Sequence, residues 1–188
     1  MVFDSVVLDS CVIFPMPLCD TLLRAAEAEL YCVKFSQEIL DGATRNLVNK
    51  NRMTEQKAAR FQQMIKNTFP EAIVEVPEEL VVAMRNHPGD RHVLAAAIIA
   101  KAEIIVTDNL KHFPKEILDP YQIEAQHPDV FLSQLFDNDP ESMVEVIRQQ
   151  SDALKNPPQT VVELLERLEK NNRVPSFVSK VRLYMSSG

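Results

Sequence analysis

The sequence predicts a three-layer α/β/α protein with a short parallel sheet, followed by an all-helical C-terminal appendage. Up to Gln126, short apolar runs alternate with longer segments whose apolar residues recur at helical spacing, which is the pattern of βαβ units. Several apolar runs stop abruptly at a polar residue, as buried strands do at the edge of a sheet. Beyond Gln126 we find only helix signals. The chain has 188 residues, 46% of them hydrophobic, and is long enough to bury a sizeable core.

The first part of the chain carries the signals for strands and for the helices that connect them. Apolar and β-branched runs predict strands at residues 3–8, 31–35, 72–76 and 104–106, with a short last strand at 121–124. Helical spacing predicts helices at residues 18–26, 36–47, 53–69 and 93–100, with Ser36 and Asp90 as N-caps. We expect core positions for Leu18, Leu22 and Leu23, the alternative being a groove for a partner helix.

The remainder of the chain, residues 127–188, is predicted to be a helical extension of a domain that spans residues 1–126. His127-Pro128 and Asp139-Pro140 have the pattern of helix starts, in which proline occupies the first turn. Thr160 and Glu163 have the spacing of a capping box ahead of a leucine-rich segment. A last helix is predicted at residues 175–185.

Composition argues against several classes of function. With 3 glycines, the chain has no Gly-rich phosphate-binding loop. Its 3 cysteines lack zinc-site spacing and indicate free thiols in a reducing cytoplasm. We find neither a signal peptide nor a membrane-spanning run. The net charge of −7 argues against nucleic-acid binding driven by overall charge, but it is compatible with a nuclease that carries metal-binding carboxylates.

Aspartates from distant segments occupy positions where their carboxylates can meet. Asp9 and Asp108 end predicted strands, Asp90 starts a helix, and Asp41 lies in the helix after the second strand. In right-handed βαβ units these positions share the carboxyl edge of the sheet, where ligands bind. Carboxylates so close to one another repel, and a bound cation would remove that repulsion. Oxygen ligands suit Mg²⁺ or Mn²⁺. Either ion could activate a water molecule for phosphodiester hydrolysis. Any one of these aspartates is better explained as a cap or turn residue, and for the whole set spacing leaves both interpretations open.

Four segments resemble the motifs of PIN domains, and more narrowly those of the VapC-like toxins of bacterial toxin–antitoxin pairs. They are VLDSCV at residues 7–12, SQEILD at 36–41, GDRHVLAAA at 89–97 and IVTDNLKHFP at 105–114. The resemblance covers the chain up to about Ala125. The helical tail is similar to an extension found on some long VapC-like proteins.

The resemblance implies an endoribonuclease that uses Mg²⁺ or Mn²⁺, is held inactive by a cognate antitoxin, and belongs to a family in which homodimers are usual. The implied catalytic residues are Asp9, Asp41, Asp90 and Asp108, and the implied metal ligands among them are Asp9, Asp90 and Asp108. The residues expected to orient these carboxylates or the bound waters are Ser10, Glu38, Thr107 and Asn109. Glu38 is also the alternative to Asp41, and Asn109 the alternative to Asp108.

Basic residues flank the acidic motifs. Those expected to contact substrate phosphates are Arg45, Arg91 and Lys111, the alternative being ordinary surface charge or ion pairs. His92 and His112 lie in the motifs too, but a metal-bound water needs no histidine base.

RNA is expected over DNA only through the resemblance. The alternative functions are a metal-dependent nuclease acting on DNA or structured ends, and a non-catalytic α/β binding module whose site has decayed.

Overall fold

The computed structural model describes residues 3–14, 16–170 and 173–187. The strands are β1 (Phe3–Leu8), β2 (Tyr31–Ser36), β3 (Ile73–Val74), β4 (Ile104–Val106) and β5 (Glu124–Gln126). The helices are α1 (Ser10–Ile13), α2 (Met16–Glu27), α3 (Gln37–Asn49), α4 (Glu55–Thr68), α5 (Glu78–Ala83), α6 (Arg91–Ile99), α7 (Lys115–Leu118), α8 (Pro128–Asn138), α9 (Pro140–Ala153), α10 (Val161–Glu169) and α11 (Pro175–Ser187). Short 3₁₀ helices span Pro88–Asp90, Leu110–His112 and Asp119–Tyr121.

The five strands form a parallel sheet in the order β3-β2-β1-β4-β5, flanked by helices, and the predicted α/β class is confirmed. The register pairs Leu8, the last residue of β1, with Val106, the last residue of β4. Both residues are fully buried. Because the two strands end side by side, the residues that follow them, Asp9 and Thr107, lie next to each other at the carboxyl edge of the sheet.

Several elements differ from what the sequence predicted, among them the short helices α1 and α7, which were not predicted. β5 begins at Glu124 rather than at residue 121, because residues 119–121 form a 3₁₀ turn that ends at Gln122 in a left-handed conformation (φ 58°). β3 has 2 residues, where a longer strand was predicted. Helix α5 follows Pro77 and was not predicted; none of its residues is fully buried, so it lacks the buried stripe by which a helix is recognised in a sequence.

Helix starts follow the predicted capping chemistry at most positions. Thr160 Oγ1 accepts from the Glu163 N–H while the Glu163 carboxylate accepts from the Thr160 N–H, which confirms the capping box. Asp139 caps α9 by accepting from the backbone N–H three residues later, at 3.0 Å. Ser36 caps α3 in the same way. Asp90 occupies the N-cap position of α6, but its side chain makes no capping hydrogen bond.

Replacing Asp139 with Ala is expected to lower the free energy of unfolding by about 1 kcal/mol at neutral pH, because α9 loses its cap. The same hydrogen bond holds the pKa of Asp139 below 3.8. The ionised cap therefore stabilises the protein above pH 3.8, and this contribution is lost as the pH falls through the folded-state pKa. Urea unfolding of the wild type and of Asp139→Ala should show a difference in the free energy of unfolding that becomes smaller in acid. A difference that is constant with pH would contradict the role of the charge.

The buried core is continuous through both predicted parts of the chain. The ring of Phe131, a fully buried residue of α8, has its centre 5.7 Å from that of Phe3 and 5.0 Å from that of Tyr31. The leucines predicted to be core are buried too: Leu18, Leu22 and Leu23. The division at residue 126 stays a prediction, and residues 171, 172 and 188 of the predicted extension lie outside the described residues. None of the helices described is both long enough and apolar enough to cross a bilayer.

Candidate active site

Asp9 follows β1 directly and is 1% exposed. Its backbone N–H donates to the Val106 carbonyl at 3.0 Å, which joins it to the end of β4. Three side chains donate to its carboxylate: Thr107 Oγ1 at 2.7 Å, Ser10 Oγ at 3.2 Å and Cys11 Sγ at 3.2 Å. A buried carboxylate with this many donors has one defined orientation. Ser10 and Thr107, both singled out in the sequence, therefore contact the acid they were expected to orient.

Cys11 connects Asp9 to Asp108. Its Sγ accepts the Asp108 N–H at 3.3 Å and lies 3.4 Å from Thr107 Oγ1. Burial raises the pKa of the Cys11 thiol, and the charge of Asp9 raises it further. The thiol therefore stays protonated and donates to the carboxylate. This role has no sequence signal beyond the position of Cys11 in the first turn of α1, two residues after Asp9.

Asp108 is a second, half-buried acid at the same edge. Arg173 Nη1 lies 2.7 Å from its Oδ2, and His127 Nε2 lies 3.5 Å from its Oδ1. Burial raises the pKa of Asp108; the charges of Arg173 and His127 oppose this rise, and the charge of Asp9 adds to it. The carboxylates of Asp9 and Asp108 are therefore close enough for their charges to interact.

Both partners of Asp108 come from the C-terminal helical part. His127 precedes α8, and its Nδ1 accepts the Asp129 N–H at 3.3 Å, which leaves Nε2 on the side of Asp108. Arg173 precedes α11, whose first turn donates two backbone N–H groups to the Asp129 carboxylate, at 2.9 and 3.2 Å. Asp129 thus joins the starts of both helices. Sequence reasoning missed both contacts with Asp108: it recognised His127 only as part of a helix start, and Arg173 lies far along the chain and outside any motif.

Asp90 lies at the N-terminus of α6, which runs back along the sheet before β4 and packs against β1 and β4. Its Oδ2 lies 2.6 Å from His112 Nδ1 and 4.0 Å from His87 Nδ1. The two imidazole rings are stacked, with their centres 3.9 Å apart. Across residues 3–14, 16–170 and 173–187, His87, Asp90 and His112 are the one group of three or more His, Cys, Asp or Glu side chains whose ligand atoms all lie within 4.8 Å of one another.

The predicted ligands Asp9, Asp90 and Asp108 do not form so compact a group within the described part of the chain. Asp108 Oδ1 is nevertheless buried and receives no hydrogen bond from any described residue. An oxygen of this kind, beside the Asp9 carboxylate, fits a hard cation such as Mg²⁺ or Mn²⁺. Imidazole nitrogens at His87 and His112 also fit softer ions. Asp90, which the sequence grouped with Asp9 and Asp108, therefore lies with His87 and His112 in the structure.

Asp41 faces α4. Its Oδ1 accepts from Gln37 Nε2 at 2.8 Å and from Gln62 Nε2 at 2.9 Å. The next residue, Gly42, shows that α3 packs against the start of α1, since a Cβ at this position would be in ordinary van der Waals contact with Ser10 Cβ, at 3.4 Å. Asp41 is therefore near the acidic edge in the fold, with its carboxylate engaged by two amides.

The other predicted residues surround this edge at different depths. Glu38 is exposed, and its Oε1 lies 3.9 Å from His92 Nδ1 in α6. Asn109 donates its backbone N–H to Thr107 Oγ1 at 3.0 Å. This contact takes up a lone pair of the hydroxyl and leaves its hydrogen for Asp9.

The predicted phosphate ligands differ in their surroundings. Arg45 and Lys111 are exposed. Arg45 lines a shallow depression together with Asp41 between α3 and α4. Arg91 is half-buried, and its Nε is buried without an acceptor among the described residues. The structure therefore offers two exposed positive charges and one partly covered one close to the acidic motifs.

The fold and the acidic edge can be compared with known proteins. Residues 128–183 match the VapC50 C-terminal domain family. A protein of Mycobacterium tuberculosis strain H37Rv, described as "Putative ribonuclease VapC50", is 49% identical to the chain over 110 residues, which is 58% of the chain and 64% of that protein. No solved structure has a significant match. Together with the parallel sheet and its acidic edge, these matches show that the chain is similar to VapC-like proteins and spans less than two thirds of the length of the relative it matches.

Proposed function

We propose that this protein is a metal-dependent endoribonuclease and the toxin of a toxin–antitoxin pair. One observation carries the proposal: the buried Asp9 carboxylate is held by three donors beside a second acid, Asp108, at the carboxyl edge of a parallel sheet. Ligands of such sheets bind at this edge. Two carboxylates kept together away from solvent repel each other, and a bound cation removes that repulsion.

The residues that would hold Mg²⁺ or Mn²⁺ are Asp9, Asp90 and Asp108, and Asp41 would complete the acidic set. When bound, such an ion stabilises negative charge on a phosphate under attack and lowers the pKa of a water. The chain's own groups set the geometry. Thr107 and Ser10 hold the Asp9 carboxylate, and the Asn109 N–H fixes the rotamer of the Thr107 hydroxyl. These contacts favour binding of the ion in one position.

The choice of RNA and of an antitoxin partner is supported by the family. The M. tuberculosis relative is named as a ribonuclease, and the match spans 64% of its length. Contacts to the RNA backbone are proposed for Arg45, Arg91 and Lys111. A homodimer is proposed because it is usual in the resembling family. A cytoplasmic location is proposed because Cys11, Cys19 and Cys32 are free thiols.

Cleavage of matched single-stranded RNA and DNA oligonucleotides, each with EDTA, Mg²⁺ or Mn²⁺, tests this function. We expect RNA to be cut only when a metal is present, and DNA to stay intact. The Asp90→Asn protein, purified in the same way, controls for contaminating nucleases. Cutting of DNA would support the DNA nuclease instead. An absence of metal-dependent cutting in both proteins would support a non-catalytic module.

The melting temperature should rise when Mg²⁺ or Mn²⁺ is added. At about 100 times Kd, preferential binding to the folded state contributes about 2.7 kcal/mol, or about 5–10 °C for a chain of this size. Asp90→Ala is expected to lose most of this rise. His87→Ala is the matched control, because His87 belongs to the histidine group but not to the proposed acidic site. If the metal no longer raised the melting temperature of His87→Ala but still raised that of Asp9→Asn, the ion would be bound by the histidine group and not by the acidic site.

A further inference from the structure

We propose that Arg173 and His127, both supplied by the C-terminal helical part, form a phosphate-binding edge of the acidic site that holds the backbone of single-stranded RNA. This inference rests on the proposed function and assigns the helical part a share in the site. Both side chains reach Asp108 from outside the α/β part of the chain, Arg173 at 2.7 Å and His127 at 3.5 Å.

The contact between Arg173 and Asp108 is short but incompletely satisfied. Arg173 Nη1 and Asp108 Oδ1 are both buried, and neither takes part in a hydrogen bond with a described residue. Arg182 and Glu169 also meet at 2.7 Å, and there the donor and acceptor have hydrogen-bond geometry. Arg173 Nη1 therefore has an oxygen at 2.7 Å but no well-aligned acceptor, which is unfavourable for a buried N–H. A phosphate oxygen entering the site would supply that acceptor.

Packing of the helical part holds the backbone that carries Arg173 in place independently of Asp108. Val174 and Phe177 are fully buried. The Asp129 carboxylate accepts backbone N–H groups from the first turn of α11 at 2.9 and 3.2 Å. The start of the Arg173 side chain therefore stays at the site even when Asp108 binds a different group. Such preorganisation reduces the entropy lost when a ligand binds.

Charge explains why RNA would need these hydrogen-bond donors here. The chain has a net charge of −7, and the carboxylates of Asp9 and Asp108 would repel an approaching phosphate. Asp9 and Asp108 would be neutralised if they held a divalent cation, and Asp108 would then hold Arg173 less tightly. The planar guanidinium then matches two phosphate oxygens. His127 adds a second donor, because its Nδ1 accepts an amide N–H and its hydrogen is assigned to Nε2.

Equilibrium binding of a labelled single-stranded RNA tests the proposal against the alternative of an ion pair that only joins the two parts of the chain. The titration uses Ca²⁺ in place of Mg²⁺, so that the carboxylates are neutralised, and a gel confirms that the RNA stays intact. Arg173→Gln is expected to raise Kd about 10-fold, as for loss of a charged hydrogen bond. It should also lower the slope of log K against log salt by about 0.7. Arg173→Lys, which keeps the charge, should restore the slope.

Arg182→Gln is the matched control, because it removes the same charge and an ion pair of the same length from the same helical part. Its Kd and salt slope should equal those of the wild type. If Arg173→Gln binds RNA as Arg182→Gln does, the inference is wrong. If the wild type binds RNA with the expected Arg173 effect but never cleaves it, the proposed function is wrong and the inference stands. If the wild type does not bind RNA at all, both are wrong.

Discussion

Asp9→Asn is expected to lower metal-dependent RNA cleavage about 1000-fold, equivalent to about 4 kcal/mol of lost transition-state stabilisation. The substitution removes a negative charge from the centre of the acidic edge and keeps the shape of the side chain. The Asn Oδ1 still accepts from Thr107 Oγ1, whose hydroxyl lies 2.7 Å from the native carboxylate. The fold should therefore survive, with the free energy of unfolding in the absence of metal within about 1 kcal/mol of the wild type. Single-turnover cleavage and urea unfolding measure the two quantities.

Asp4→Asn is the matched control for this experiment. Asp4 lies in β1, the strand that Asp9 follows, but is exposed, and its charge is remote from the carboxyl edge. We expect wild-type cleavage and wild-type stability from this protein. If Asp9→Asn folds normally and cleaves RNA as fast as Asp4→Asn does, Asp9 is not a metal ligand.

Phe131→Ala is expected to destabilise the whole chain by about 3–5 kcal/mol, because it opens a cavity in the core. The ring of Phe131 lies against those of Phe3 in β1 and Tyr31 in β2. Losing it would weaken the packing of α8 on the two strands that lead to the acidic edge. The melting temperature should fall by about 6–20 °C in a single transition, which calorimetry would measure.

Val130→Ala on the same helix is the control. Val130 is 48% exposed, and its truncation should change the free energy of unfolding by less than about 0.5 kcal/mol. Phe131→Ala could instead melt in two separate transitions, the second of them at the wild-type melting temperature. That result would show that the stability of the α/β part does not depend on this contact.

The sheet and its acidic edge could be predicted because their signals are local in the sequence. An apolar run that ends at a polar residue marks both a buried strand and its carboxyl end, and this applies to Leu8-Asp9 and to Val106-Thr107. The pairing of Leu8 with Val106 then brings the two ends together. The capping box at Thr160 is equally local, since both partners lie within one helical turn.

The partners of the acidic side chains could not be predicted, because they depend on how separate elements pack. Arg173 reaches Asp108 only when α8 and α11 dock at the edge of the sheet. His112 meets Asp90 through the conformation of a 3₁₀ turn. Asp41 lies at the expected place in α3, but the direction of its carboxylate is set by Gln62 of α4. Each of these contacts joins residues from different helices, turns or strands, so no spacing within a single element could indicate it.

Anomalous diffraction from a crystal of the full chain soaked in Mn²⁺ is the most direct test of the central claim. We predict a Mn²⁺ peak at the carboxyl ends of β1 and β4, within coordination distance of the Asp9 carboxylate and beside Asp90 and Asp108. A peak bound by His87 and His112 and out of reach of Asp9, or no peak in a crystal whose protein cleaves RNA in Mn²⁺, would contradict the acidic metal site.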